Sequence, residues 1–110
     1  MRDRLRRGAA LFEAGRFFEA HEVWEEAWLE EFGDKRLALQ GLIQLAAALY
    51  KESRGDPPDG CIWLLEAALS KIRGGASDLD GLPLTPFELR AAAALEAARR
   101  RSVDAAARHT

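Results

Sequence analysis

Two polar residues, His21 and Glu25, are four positions apart in the segment GRFFEAHEVWEEAW. In a helix, side chains at this spacing lie on the same face at roughly 6 Å, which is close enough for them to hydrogen-bond or to share a ligand. An imidazole and a carboxylate at that distance can exchange a proton or bind a divalent metal ion together. His21 and Glu25 are therefore the candidate metal ligands of this chain.

The helix that carries these residues has an apolar face, and both residues fall within it. On a helical wheel of residues 17 to 32, with the first residue at 0°, Trp24 and Trp28 lie within about 20° of zero. His21 lies at about 40° and Glu25 at about 80° on the same wheel. A carboxylate among aromatic rings loses hydration unless it is protonated or paired with a cation. We therefore expect both side chains to be shielded from water, with Trp24 and Trp28 as pocket walls.

A second pair of polar residues, Gln40 and Gln44, is also four positions apart, in the next predicted helix. If this pair faced His21 and Glu25, the four side chains would form a connected polar cluster inside a bundle. Lys51 lies on the same stripe as the glutamines, so the stripe can equally be the hydrated edge of its helix. Gln40 and Gln44 are candidate pocket residues, and both interpretations stay open.

Three interpretations of the His21 and Glu25 pair stay open as well. Polar pairs inside a protein are most often hydrogen-bonded structural groups. A metal or catalytic site needs three or four ligands, so glutamines, water or another chain would have to complete it. In the third interpretation both residues lie at a hydrated edge. The zinc-protease pattern His-Glu-x-x-His does not apply, because a second histidine is missing and Glu22 falls on the solvated side of the wheel.

The elements around these residues are predicted to be helical throughout. Alanine is abundant, Val, Ile and Thr are scarce, and no segment alternates apolar with polar residues, so we expect no strand. Gly15, Gly33, Gly55 and a loop over 74–84 divide the chain into five segments. The predicted helices span about 3–14, 16–32, 35–54, 57–73 and 86–107.

The length and composition favour one helical domain over residues 1–110. A chain of 110 residues that is 48% hydrophobic and 31% charged can bury a single core. Two segments, 11–28 and 49–68, each have a helix end, a glycine and then a small residue, Ala20 or Gly60, which is followed by repeat positions at offsets of +4, +7 and +8. In both segments small residues are seven positions apart, with a large residue between them. The predicted fold is therefore an all-α, five-helix bundle of antiparallel helical hairpins, with tetratricopeptide-like packing or chance spacing as equal explanations of the repeat.

The charge and cysteine counts limit the classes of partner and the cellular location that we expect for this chain. Sixteen Lys and Arg against eighteen Asp and Glu leave a net charge of −2, so nucleic acid is not expected as a partner despite the arginines near both ends. No membrane span or secretory segment is evident. Cys61 is the only cysteine, which favours a reducing, cytoplasmic location. Whether the chain is an enzyme stays open. The alternative is a non-enzymatic interaction module that binds a protein partner or a second copy of itself.

The segments GRFFEAHEVWEEAW and LQGLIQLAAALY resemble domain of unknown function family 309, a set of small bacterial and archaeal all-helical proteins. The resemblance runs from about Gly8 to Ile72, and more loosely to Ala98. The family's His-x3-Glu-x2-aromatic motif is matched by His21, Glu25 and Trp28. The resemblance implies an all-helical fold without an established activity.

The resemblance also implies a suspected metal site at this motif, with His21 and Glu25 as ligands and Trp28 as a wall. In the family a histidine often follows the second alanine-rich stretch, where this chain has Tyr50 and Lys51. The difference removes one further candidate ligand and weakens the case for a metal ion.

Overall fold

The computed structural model describes residues 2–74 and 77–108, which form five helices and a two-stranded sheet. Their bounds are α1 (Arg2–Glu13), α2 (Phe17–Leu29), α3 (Gly33–Ser53), α4 (Pro58–Arg73), β1 (Asp78–Leu79), β2 (Leu82–Pro83) and α5 (Thr85–Arg108). The predicted all-α class and the number of helices are confirmed. None of the helices in these ranges is long and apolar enough to span a bilayer.

Glycines end two of the helices where the sequence predicted breaks. Gly15 and Gly55 have φ angles of +78° and +75°, a backbone conformation that favours glycine. In both turns the next amide reaches back five residues: Arg16 N–H donates to the Leu11 carbonyl at 2.9 Å, and Asp56 N–H donates to a carbonyl of α3 at 3.0 Å. These bonds satisfy carbonyls that the helix end leaves free, so α1 and α3 each turn back sharply.

Each helix packs mainly on its neighbours in the chain, and α3 lies between α2 and α4. The result is an elongated array of 49 × 25 × 21 Å. The central position of α3 explains why it is apolar on most of its circumference. Its buried residues are Ala38, Leu39, Gly41, Leu42, Leu45, Ala46, Ala48 and Leu49.

Trp24 is the largest fully buried side chain and joins three helices. Its ring lies 5.8 Å from that of Phe12 and 5.7 Å from that of Phe87, measured between centroids. Its indole N–H donates to the carbonyl oxygen of Leu5 at 3.1 Å. Gly8 makes room for the ring on α1, because a Cβ built there would lie 2.2 Å from Trp24 Nε1. Trp24 is thus a core residue that ties α1 and α5 to α2.

The expectation of no strand was wrong for the segment between α4 and α5. β1 and β2 pair in antiparallel fashion, with Asp78 opposite Pro83 and Leu79 opposite Leu82. The turn between them is Asp80–Gly81, and both residues have positive φ angles, which is the signature of a tight hairpin. Strands of two residues are too short to show the alternation that reveals longer strands, so the Asp-Gly dipeptide was the available signal.

Cys61 lies at the interface of α3 and α4 and is fully buried. Its thiol donates a hydrogen bond to the Ala48 carbonyl, with 3.6 Å between sulfur and oxygen. Burial raises the pKa of the Cys61 thiol above its ordinary value of 9.0. Cys61 therefore packs as a core residue between these two helices.

The raised pKa of Cys61 predicts a stability loss in alkali. Above a pH of about 9 the unfolded thiol ionises while the folded thiol stays protonated, so the free energy of unfolding should fall by up to about 1.4 kcal/mol per pH unit. The contribution is fully present below that pH and is lost as the pH rises toward the folded pKa. Urea unfolding at pH 8 and pH 10 measures the loss. Cys61→Ala should lose less stability over this interval than the parent, and equal losses in both proteins would contradict the prediction.

Candidate functional site

His21 and Glu25 lie near each other on α2, as their spacing predicted. His21 Nδ1 is 3.5 Å from Glu25 Oε2, which is longer than the usual 2.7–3.2 Å of an N–H···O hydrogen bond. Within the described ranges Nδ1 is buried and has no hydrogen-bond partner. The His21 side chain is 29% exposed and the Glu25 side chain 55% exposed. The expected shielding is therefore partial for the imidazole and wrong for the carboxylate.

The exposure of Glu25 follows from the direction in which α2 is buried. Its buried residues are Ala20, Trp24 and Ala27. At about 100° per residue, the mean direction of these three residues is about 50° from the zero of the wheel, on the side opposite His21 and Glu25. His21 is then about 90° and Glu25 about 130° from the centre of the buried face. The helical wheel gave the angles between residues correctly. The buried face of α2, however, is not centred on the zero of that wheel.

His21 lines a cavity of ≈ 200 Å³ between α2 and the carboxyl-terminal part of α3. We name it the His21 cavity, and its lining residues are Phe18, His21, Ala47, Tyr50, Lys51 and Arg54. The rings of Phe18 and His21 are nearly parallel at 6.4 Å, and those of Phe18 and Tyr50 are 5.2 Å apart. The imidazole thus belongs to a row of rings that crosses from one helix to the other.

The charges on the cavity wall are positive. Lys51 Nζ lies 3.9 Å from Asp56 Oδ2, a distance at the limit of an ion pair. Arg54 holds its guanidinium carbon 5.4 Å from the centroid of the Tyr50 ring, and it forms no ion pair within the described ranges. Among the residues that the structure describes, no Asp or Glu lines the cavity. Two incompletely neutralised cations on one small cavity attract anions.

The two glutamines do not face His21 and Glu25. Gln44 Oε1 accepts a hydrogen bond of 2.7 Å from Lys71 Nζ, which belongs to α4. No hydrogen bond in residues 2–74 and 77–108 joins Gln40 to the pair on α2. Position 44 lies about 120° around α3 from position 50, where α2 is contacted. The polar cluster, one of the two interpretations that the sequence left open, is therefore not formed, because α3 turns Gln44 toward α4.

The two tryptophans are not walls of the His21 cavity either. Trp24 fills the core on the buried side of α2. Trp28 is half-buried near the turn to α3, where the Arg36 guanidinium carbon lies 3.8 Å from its ring centroid. This stacking is a cation–π contact of the kind that stabilises a helix pair. Among the described residues, neither tryptophan lines the His21 cavity, whose lining comes from α2 and from the end of α3.

Sequence reasoning missed Phe18, Tyr50 and Arg54 as site residues. Phe18 precedes His21 by three positions, and Arg54 follows Tyr50 by four, so each pair shares a helix face. The early part of α2 and the late part of α3 meet when two consecutive helices fold back on each other. The shared helix faces, taken together with this antiparallel packing, were the sequence signal that could have identified these three residues.

The ligand supply for a metal ion is limited. Within residues 2–74 and 77–108, no group of three or more His, Cys, Asp or Glu side chains converges. His21 and Glu25 could supply at most two ligands, so water or another chain would have to supply the others.

Comparisons with known proteins agree with the resemblance seen in the sequence. The family model of a domain of unknown function, DUF309, matches residues 5–61. The crystal structure of a conserved hypothetical protein from Thermus thermophilus is similar, with 36% sequence identity and a TM-score of 0.67. The similarity covers 88% of this chain and 93% of that one. A search of curated protein sequences found no significant match. The family match and the similar fold together show that the chain belongs to the DUF309 family.

Proposed function

We propose that this chain is a ligand-binding protein whose His21 cavity holds a small anionic group, a carboxylate or a phosphate. One observation carries the proposal: three nitrogen-bearing side chains, those of His21, Lys51 and Arg54, line one small cavity, and none of the described residues that line it is acidic. Arg and Lys are the side chains that proteins use most for carboxylate and phosphate groups.

Each lining residue has a distinct part in this binding. The Arg54 guanidinium offers donors in a planar fork, which suits two oxygens of one anion. Lys51 adds a mobile charge at the rim. When the His21 ring carries both protons, Nδ1 can donate toward Glu25, 3.5 Å away, and Nε2 can donate to the ligand. Glu25 would then act as a positioning residue that orients the ring.

The size and the walls of the cavity suit a small ligand. A volume of ≈ 200 Å³ can hold an inorganic phosphate or a short carboxylate. The rings of Phe18 and Tyr50 cover part of the cavity, and apolar cover strengthens the interaction between opposite charges. The lining residues lie between positions 18 and 54, within the stretch that the DUF309 model matches. That location supports a role shared with the family.

Titration with inorganic phosphate and with acetate at constant ionic strength tests the proposal. We expect chemical-shift changes that are largest at the His21 cavity, and we expect Lys51→Gln combined with Arg54→Gln to weaken binding at least tenfold. Arg100→Gln is the matched control, because Arg100 is an exposed cation whose partner, Glu96, is on its own helix. Equal affinities for the double variant and the control would refute an anion site at this cavity.

A divalent metal ion at His21 and Glu25 is our second candidate. Two ligands of a tetrahedral zinc ion, each at about 2.1 Å, are about 3.4 Å apart, and the observed separation of Nδ1 and Oε2 is 3.5 Å. Mass spectrometry of the native protein with added Zn²⁺ distinguishes the two candidates. A metal site should be lost in Glu25→Gln, whereas phosphate binding should only weaken, because Lys51 and Arg54 remain in the cavity. If Glu25→Gln leaves zinc binding intact, the metal candidate is rejected.

A further inference from the structure

A second and larger cavity lies beside the first turn of α2 and does not involve His21. It has a volume of ≈ 600 Å³, which is in the usual range of about 300–1,000 Å³ for small-molecule sites. We name it the aromatic cleft. Residues from α1, α2, β2 and α5 line it, among them Phe12, Phe17, Leu82 and Phe87. The cleft therefore forms only when the hairpin and α5 close over the turn between α1 and α2.

The interior of the cleft is suited to an apolar group. The rings of Phe12 and Phe17 meet edge to face at 5.3 Å, and those of Phe12 and Phe87 do so at 5.4 Å. Phe12 and Phe87 are held by the core, since both also contact Trp24. These rings are fixed by packing and require little reordering when a ligand arrives, which favours binding.

Two side chains of opposite charge line the same cleft, Glu13 and Arg90. Neither forms an ion pair within residues 2–74 and 77–108, and they do not pair with each other. The situation differs close by, where Arg73 Nε and Glu88 Oε1 are 3.0 Å apart. An apolar ligand with one charge would leave the other side chain without a partner. A ligand with both charges can neutralise both.

We propose that the aromatic cleft binds a small zwitterion with a large apolar body, of the class of free apolar amino acids. The ligand's carboxylate would pair with the Arg90 guanidinium through two parallel hydrogen bonds. Its ammonium group would pair with the Glu13 carboxylate, and its apolar side chain would lie among Phe12, Phe17 and Phe87. The proposal is independent of the His21 cavity, since the two cavities share no lining residue.

The experiment uses L-phenylalanine and two half-ligands that each keep one of its two charged groups. 3-Phenylpropanoate keeps the carboxylate, and 2-phenylethylamine keeps the ammonium group. Binding to the full chain is followed by NMR through the resonances of the cleft residues. We expect phenylalanine to bind at least tenfold more tightly than either half-ligand. If phenylalanine and one half-ligand bind with equal affinity, the proposal of a zwitterionic ligand is wrong. If chemical shifts change only at residues outside the cleft, the proposed location of the site is wrong.

Two charge variants assign the contacts. Arg90→Gln should weaken phenylalanine and 3-phenylpropanoate at least fivefold, and should not weaken 2-phenylethylamine. Glu13→Gln should weaken the binding of phenylalanine and 2-phenylethylamine, and should not weaken the binding of 3-phenylpropanoate. Both side chains are exposed, so both variants should fold. Arg54→Gln is the control, because it alters the His21 cavity alone and should leave phenylalanine binding unchanged. Loss of binding in the control, or identical effects of the two variants, would overturn the assignment.

Discussion

Replacing Trp24 with alanine should lower the free energy of unfolding by about 3–5 kcal/mol. The side chain is fully buried, and its removal leaves a cavity between α1, α2 and α5. The rings of Phe12 and Phe87, each less than 6 Å from that of Trp24 between centroids, lose their shared neighbour. The effect should therefore be among the largest for any single substitution in this chain.

Urea unfolding followed by circular dichroism measures this effect without relying on the tryptophan signal. Trp63→Ala is the matched control, since Trp63 is 66% exposed and its removal should change stability by less than about 0.5 kcal/mol. Trp24→Phe keeps a ring but loses the donor to the Leu5 carbonyl, so its loss should be intermediate. Similar losses for Trp24→Ala and Trp63→Ala would show that Trp24 does not hold the core together.

Gly8→Ala should be the second most harmful of these changes, although alanine is the better helix former. A Cβ at position 8 would lie 2.2 Å from Trp24 Nε1 and 2.5 Å from Trp24 Cδ1. The indole cannot give way easily, because it is held between Phe12 and Phe87. We expect a net loss of about 2 kcal/mol, since overpacking outweighs the gain of about 1 kcal/mol in helix propensity.

Two other helical glycines calibrate this measurement. At Gly60 a Cβ would meet no atom within 4 Å, so Gly60→Ala should be neutral or stabilise the fold by up to about 1 kcal/mol. At Gly41 the nearest atom is Ile72 Cγ1 at 2.9 Å, so Gly41→Ala should give an intermediate result. The order Gly8, Gly41, Gly60, from most to least harmful, is the expected outcome of thermal unfolding. Any other order would contradict the packing described here.

A double-mutant cycle connects the two predictions. In the Trp24→Ala background the ring that blocks position 8 is gone, so Gly8→Ala should then cost little or even stabilise the fold. A loss at Gly8 that is the same in both backgrounds would mean that the clash involves another group. The cycle thus tests the contact between α1 and α2 directly.

The geometry of neighbours on one helix could be predicted from the sequence. The four-residue spacing of His21 and Glu25 was sufficient to place their side chains together, and the observed 3.5 Å agrees with it. The left-handed turn that favours glycine after a helix was predicted at Gly15, where φ is +78°, but the same prediction at Gly74 was wrong, because Gly74 has a φ of −83°. These predictions depend on local backbone geometry, which neighbouring residues along the chain largely determine.

The surroundings of that pair depended on tertiary packing. Tyr50, Lys51 and Arg54 line the same cavity as His21 only because α3 folds back along α2, and that direction decides which face of α3 is presented. The same packing buries Ala20 and Trp24 and leaves Glu25 at the surface. A helical wheel gives angles between residues but does not say where the core lies.

By itself the sequence determined that the chain is helical, where its helices are divided, and that an imidazole and a carboxylate are neighbours on α2. The tertiary structure decided that cations from α3 accompany His21, and that Glu13 and Arg90 line the aromatic cleft together. The physical reason is the range of the interactions. Helix formation and i,i+4 contacts are local, whereas a cavity needs residues that are distant in the chain and are brought together by burial of a shared core.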